Sequence, residues 1–88
     1  MKILSEKPSE EKLKRLGVKN WPIWEKEPSD FPWHYDETEV CYILEGRVIV
    51  TSDNERAEFG QGDLVTFPRG LDCRWQVLEK IRKHYNFE

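Results

Sequence analysis

The longest apolar stretch of the chain, Glu39–Thr51, is interrupted once, at Gly46. Its residues are β-branched or aromatic at most positions, which favours a strand over a helix. Side chains alternate faces along a strand. A tight turn at Glu45-Gly46 would set Ile43 opposite Val48 and Cys41 opposite Val50. One face then carries Cys41, Ile43, Val48 and Val50, with the acid Glu39 at its edge. The other face carries Val40, Tyr42, Leu44, Ile49 and Thr51, too apolar for water and in need of a cover.

The pattern before this stretch is different. Pro8 to Gly17 reads as a short helix, with Ser9 as N-cap, acids in the first turn, bases in the last and Gly17 as the stop. Trp21-Pro22-Ile23-Trp24 predicts an edge strand or extended arm, because Pro22 cannot donate to a central ladder. Pro28-Ser29-Asp30 predicts a turn, and Phe31–Tyr35 a short extended piece. After it, Ser52–Glu55, Gly60–Asp63 and Pro68–Gly70 predict three turns. They separate an exposed strand at Arg56–Phe59 from a strand at Leu64–Phe67. Cys73, Trp75 and Val77 share one face of a further strand, with Arg74 and Gln76 on the other. Ile81–Phe87 predicts a last, charged edge strand. Short strands with turns at this spacing indicate an all-β sandwich or barrel.

At 88 residues the chain makes one small domain. Acids and bases are interspersed and the net charge is −3, which argues against a nucleic-acid partner. No apolar run approaches the ~20 residues of a membrane-spanning helix, and the N-terminus lacks the apolar core of a signal peptide. A cytoplasmic location follows as the expectation. Cys41 and Cys73 are then thiols rather than a disulfide. The four Trp, three Tyr and four Phe supply a large apolar area to a short chain. Trp21, Trp24, Phe31 and Trp33 lie on the Pro-containing segments, where they would cover the outer face of the sheet or form a homodimer contact.

Glu39–Gly46, followed by Gly62, Pro68 and Gly70, resembles the two motifs of the cupin superfamily. The whole chain further resembles a small stand-alone cupin group, similar to the cupin domain of (S)-ureidoglycine aminohydrolase. The resemblance implies a single-domain antiparallel β-barrel or jelly-roll over residues 1–88, with an N-terminal arm and short helix (1–30) and a barrel (31–88). Motif 1 falls at 32–46 and motif 2 at 62–75. In that superfamily three His and one Glu hold a metal. Here the His-x-His pair falls on Pro32 and His34, or on Trp33 and Tyr35, depending on loop length. Cys73 stands at the second-motif His. The set is therefore reduced to His34, Glu39 and Cys73.

Those three are the candidate ligands for a divalent transition metal (Zn, Fe, Mn or Ni). Glu39 is also a candidate general base or substrate-binding acid, against the alternative of a structural acid paired with a Lys or Arg. A thiol nucleophile would need a cation or base beside Cys41 or Cys73; inert buried thiols are the alternative. A pocket of Glu39, Cys41, Cys73 and Trp75 would suit a small, partly apolar ligand with an amine or hydroxyl. Three functions remain open: a small-molecule-binding cupin with no metal or a weak one, a metal-dependent enzyme on a small polar metabolite of the ureidoglycine type, and a barrel filled by its own side chains.

Overall fold

The computed structural model describes residues 1–88. In chain order its elements are β1 (Leu4–Glu6), α1 (Glu10–Leu16), a 3-10 turn (Val18–Asn20), β2 (Ile23–Lys26), β3 (Ser29–His34), β4 (Glu39–Thr51), β5 (Arg56–Gly60), β6 (Leu64–Phe67) and β7 (Asp72–Phe87). All strand pairs are antiparallel. No helix is long and apolar enough to cross a membrane.

The two long strands, β4 and β7, pair along nearly their whole length, from Glu39↔Phe87 to Thr51↔Arg74. Each changes its outer neighbour midway. The first part of β4 pairs with β6, which β1 extends, and the second part pairs with β5. The start of β7 pairs with β3 and its end with β2. The sheet is thus two halves hinged across the middle of β4 and β7. Ring contacts join strands of opposite halves: Phe59 of β5 lies 6.0 Å from Phe67 of β6, and Trp24 of β2 lies 6.4 Å from Phe31 of β3. The halves therefore fold over one another and enclose the apolar core.

Gly46 is the hinge of β4. The expected turn at Glu45-Gly46 is absent, and β4 continues as one strand with register shifts against β7 between Ile43 and Val48. A bulge, like a turn, shifts the inside–outside phase by one residue. That is why Cys41, Ile43, Val48 and Val50 still share the buried face, although Ile43 pairs with Lys83 and Val48 with Val77 rather than with each other. Gly46 has φ 98°, and a Cβ there would collide with the Lys80 carbonyl and lie 2.7 Å from Ile81 Cα. Both the left-handed backbone and the close approach of β7 require glycine.

The helix ends as its sequence implies. Ser9 Oγ accepts from Lys12 N at 3.1 Å, and left-handed Gly17 donates to the Leu13 and Lys14 carbonyls. The cover over Tyr42 and Leu44 is this segment, since Leu13 and Val18 line a cleft with them. It is not the Trp-rich arm: Trp24 and Phe31 pack on the core instead. Three further expectations are corrected. Ser29 and Asp30 are already in β3, so the turn is shorter than Pro28–Asp30. Phe59 of the supposedly exposed strand is buried. Ile81–Phe87 is not an edge strand but the second part of β7, flanked by β4 and β2. Its charged residues suggested an edge; the pairing on both sides shows a central position.

A buried ion pair in an aromatic cup

Glu39 begins β4, and Lys83 lies on the neighbouring β7, where alternation from fully buried Ile81 turns it inward. Both residues are 5% exposed, and they are the two charged residues of the interior. Lys83 Nζ donates to Glu39 Oε2 at 2.6 Å. The ammonium also lies 4.9 Å from the Trp24 ring centre and 4.7 Å from that of Trp75. A desolvated ammonium against indole faces is attracted by the ring quadrupole. Three interactions thus hold one cation.

The cation borders a cavity of about 230 Å³ lined by Glu39, Lys83 and seven apolar or aromatic side chains. Trp24, Phe31 and Trp75 form a continuous wall: Trp75 lies 5.9 Å from Trp24 edge-on and 6.2 Å from Phe31 in a stack. Trp33, Tyr85 and Phe87 also line it, and Trp33 is 52% exposed and Phe87 48%. At ~30 Å³ per water the space corresponds to about eight waters, enough for a metabolite-sized ligand.

Tyr35 completes the polar set. It lies just beyond β3, is buried, and stacks on Phe67 with centroids 4.8 Å apart. Its hydroxyl accepts from Trp75 Nε1 at 3.1 Å. Burial first, then the Glu39 charge, pushes the phenol well above its usual range, so it stays protonated. Its proton is not given to any protein acceptor and is free for a ligand. Glu39 Oε1 likewise makes no hydrogen bond within the protein. The cavity therefore offers donors from Lys83 and Tyr35 and an acceptor from Glu39.

The residues expected from sequence separate into two groups. Glu39 and Trp75 line the cavity; Cys41 and Cys73 do not. Cys41 is fully buried in the core, and burial pushes its thiol up to about 12. Cys73 sits behind the wall with its Sγ 3.6 Å from the Trp33 carbonyl, and burial pushes it up to about 11. Neither is poised as a thiolate.

The metal set is corrected as well. His34, Glu39 and Cys73 do not converge, and no group of three His, Cys, Asp or Glu side chains is placed to hold an ion. His34 faces outward, with Nδ1 2.6 Å from Asp72 and Nε2 3.5 Å from Asp36. Of the two sequence alternatives, Trp33 and Tyr35 are the pair that faces the cavity. Beside Glu39 stands an ammonium, which cannot ligate while protonated and competes for the carboxylate. The residues present therefore do not fit a three-ligand metal centre.

Lys83, Tyr35 and Trp24 are cavity-lining side chains that sequence reasoning did not place there. The signal existed for Lys83: continuing the Cys73, Trp75, Val77 alternation along one unbroken strand reaches Ile81, Lys83, Tyr85 and Phe87.

Four similarities relate the chain to known proteins. The EutQ-like cupin domain model matches residues 13–85. A DUF861 family protein from Thermotoga maritima is 58% identical, with TM-score 0.97, over 99% of this chain and 100% of that one. The Clostridium difficile EutQ protein superposes with TM-score 0.66 at 22% identity, over 72% of this chain and 50% of that one, which speaks to the fold alone. An uncharacterized protein of Methanocaldococcus jannaschii is 49% identical over 35 residues. That match covers 40% of this chain and 28% of the curated relative's length.

Proposed function

The chain belongs to the EutQ-like cupin family, and we propose that within it this protein binds a small, flat, partly apolar molecule without using a metal. One observation carries the reading: an ion pair, Glu39–Lys83, borders a ligand-sized aromatic cavity and keeps unused hydrogen-bonding capacity. Burying two charges costs several kcal/mol each unless the geometry is good, so such a pair in so small a core calls for a use. Apolar walls with a few convergent polar groups are what a small-molecule site requires. The aromatic walls would take the body of the ligand. Lys83 and Tyr35 would donate to a carbonyl or hydroxyl oxygen, and Glu39 Oε1 would accept from an amine or hydroxyl.

The metal-dependent reading, including a ureidoglycine-type reaction, lacks this support because its three donors do not meet around one point. A cytoplasmic setting is consistent with two free thiols, Cys41 and Cys73.

The test is ligand-induced thermal stabilisation of chelator-treated protein across a panel of small amides, alcohols and amines with flat apolar bodies. Hits should stabilise equally with and without added Zn, Fe, Mn or Ni, and should lose part of their effect in Tyr35→Phe, which removes one of the two donors. Stabilisation that appears only after metal is restored would overturn the reading.

A further inference from the structure

We propose that Lys83 is a covalent site, forming a reversible imine with small aldehydes or ketones admitted to the cavity. The inference rests on the reading of this cavity as the ligand site and assigns it a reactive group. Lys83 is 5% exposed and lines the cavity, whereas Lys80, the neighbouring lysine on β7, is half-exposed and faces Glu25 and Glu27 at 3.7 Å. An amine adds to a carbonyl only in its neutral form, and an acceptor for its proton stands 2.6 Å away in Glu39.

The steps balance on residues present. The Lys83 ammonium gives a proton to Glu39, leaving a neutral amine and a carboxylic acid. The amine nitrogen attacks the carbonyl carbon, the C=O π pair moves to oxygen, and a proton passes from nitrogen to that oxygen. The carbinolamine hydroxyl then takes the proton from Glu39 and leaves as water. The nitrogen lone pair forms the C=N bond. The product is an iminium cation beside the Glu39 carboxylate, so the pair ends with the charges it began with. The co-reactant is the aldehyde or ketone, and the by-product is one water.

The surroundings favour the product at each point. The indole faces of Trp24 and Trp75 that hold the ammonium would hold an iminium at the same nitrogen. The apolar wall limits the water that would hydrolyse it. Tyr35 lines the same cavity with a proton free to donate to the carbonyl oxygen. A buried lysine with a carboxylate partner and a phenol is a working set for imine chemistry; an arginine or a lone surface lysine is not.

The experiment treats the intact protein with benzaldehyde and cyanoborohydride near neutral pH and maps adducts by peptide mass spectrometry. Lys83 should carry the dominant adduct, labelled ~10-fold or more faster than any other lysine, and Glu39→Gln should slow that labelling by ~10²-fold, the scale of a lost general acid–base. The comparison among lysines of the unaltered protein needs no variant to fold. Benzyl alcohol, which has the same shape and no carbonyl, is titrated in parallel by tryptophan fluorescence. If benzyl alcohol binds but Lys83 labels no faster than the surface lysines, the imine proposal is overturned and the binding reading stands. If neither occurs, both fall.

Discussion

Removing one partner of the Glu39–Lys83 pair should destabilise the fold far more than removing both. Their charged atoms are 2.6 Å apart. At an effective dielectric of ~20 the direct attraction at that separation is about 6 kcal/mol, and most of it offsets the cost of taking both groups out of water. Lys83→Met keeps the length and packing of the side chain against Trp24 and Trp75 but strands the Glu39 carboxylate. Glu39→Leu strands the ammonium instead. Each single substitution should cost about 3–5 kcal/mol. For a domain of this size ~1 kcal/mol shifts Tm by about 5 °C, so each variant should melt roughly 15–25 °C lower. The double variant Glu39→Leu/Lys83→Met leaves no buried charge, and should return to within ~1 kcal/mol of the parent or exceed it. Urea unfolding of the four proteins, with the slope m checked for constancy, closes the cycle. The coupling implied by these values is about 5 kcal/mol or more. Additive losses, with the double variant worse than either single one, would show that the two charges do not meet in the folded protein.

Gly46→Ala should cost ~3 kcal/mol or more in urea midpoint analysis, because it adds left-handed strain to a collision with the backbone of Lys80 and Ile81; a loss under ~1 kcal/mol would contradict the hinge. Stability should fall on the alkaline side. Cys41, Cys73 and Tyr35 are all raised on folding, so above about pH 9 the unfolded chain sheds protons that the folded chain keeps. Stability should be level below the unfolded thiol value and decline above it, by up to ~1.4 kcal/mol per pH unit for fully buried Cys41. Cys41→Val should flatten part of that slope, and a flat profile in the parent would refute the buried-thiol placement. Ellman's reagent at about pH 8 should react slowly with the native protein and promptly once denaturant is added, since low thiolate character and burial both protect the two cysteines; rapid native labelling of either would contradict its location.

Much of the fold was legible because local chemistry and global packing agree. Ser9 and Gly17 bracket α1, and Gly62 and Gly70 sit at left-handed positions in the turns read from sequence. The buried face of β4 was legible even though its cause was not. A turn and a bulge at Gly46 give the same phase shift, and a single sequence carries no sign of which occurs. The first part of β4 is paired by β6 on one side and by β7 on the other, which leaves no edge for a hairpin partner. The site was half-legible. Glu39 and Trp75 were singled out, the first by its place before an apolar run and the second by alternation. Lys83 was lost because Arg82-Lys83-His84 looks like a solvated edge, although the alternation that buries Trp75, Val77 and Ile81 also turns Lys83 inward. Trp24 and Phe31 were placed outside because Pro22 and Pro32 mark edges. They do lie on edge strands, but the folding-over of the two halves brings their rings against Trp75. Long-range closure of that kind has no local signature.

The most direct test of the central claim uses the four indoles as reporters. Trp24, Trp33 and Trp75 line the cavity and Trp21 does not. In ¹⁵N-labelled, chelator-treated protein, fragments that bind should move the indole N–H signals of those three and leave Trp21 in place, and the movements should vanish in Lys83→Met. Fragments that bind while moving only Trp21, or that settle in the cleft between α1 and the sheet without touching the three indoles, would contradict it.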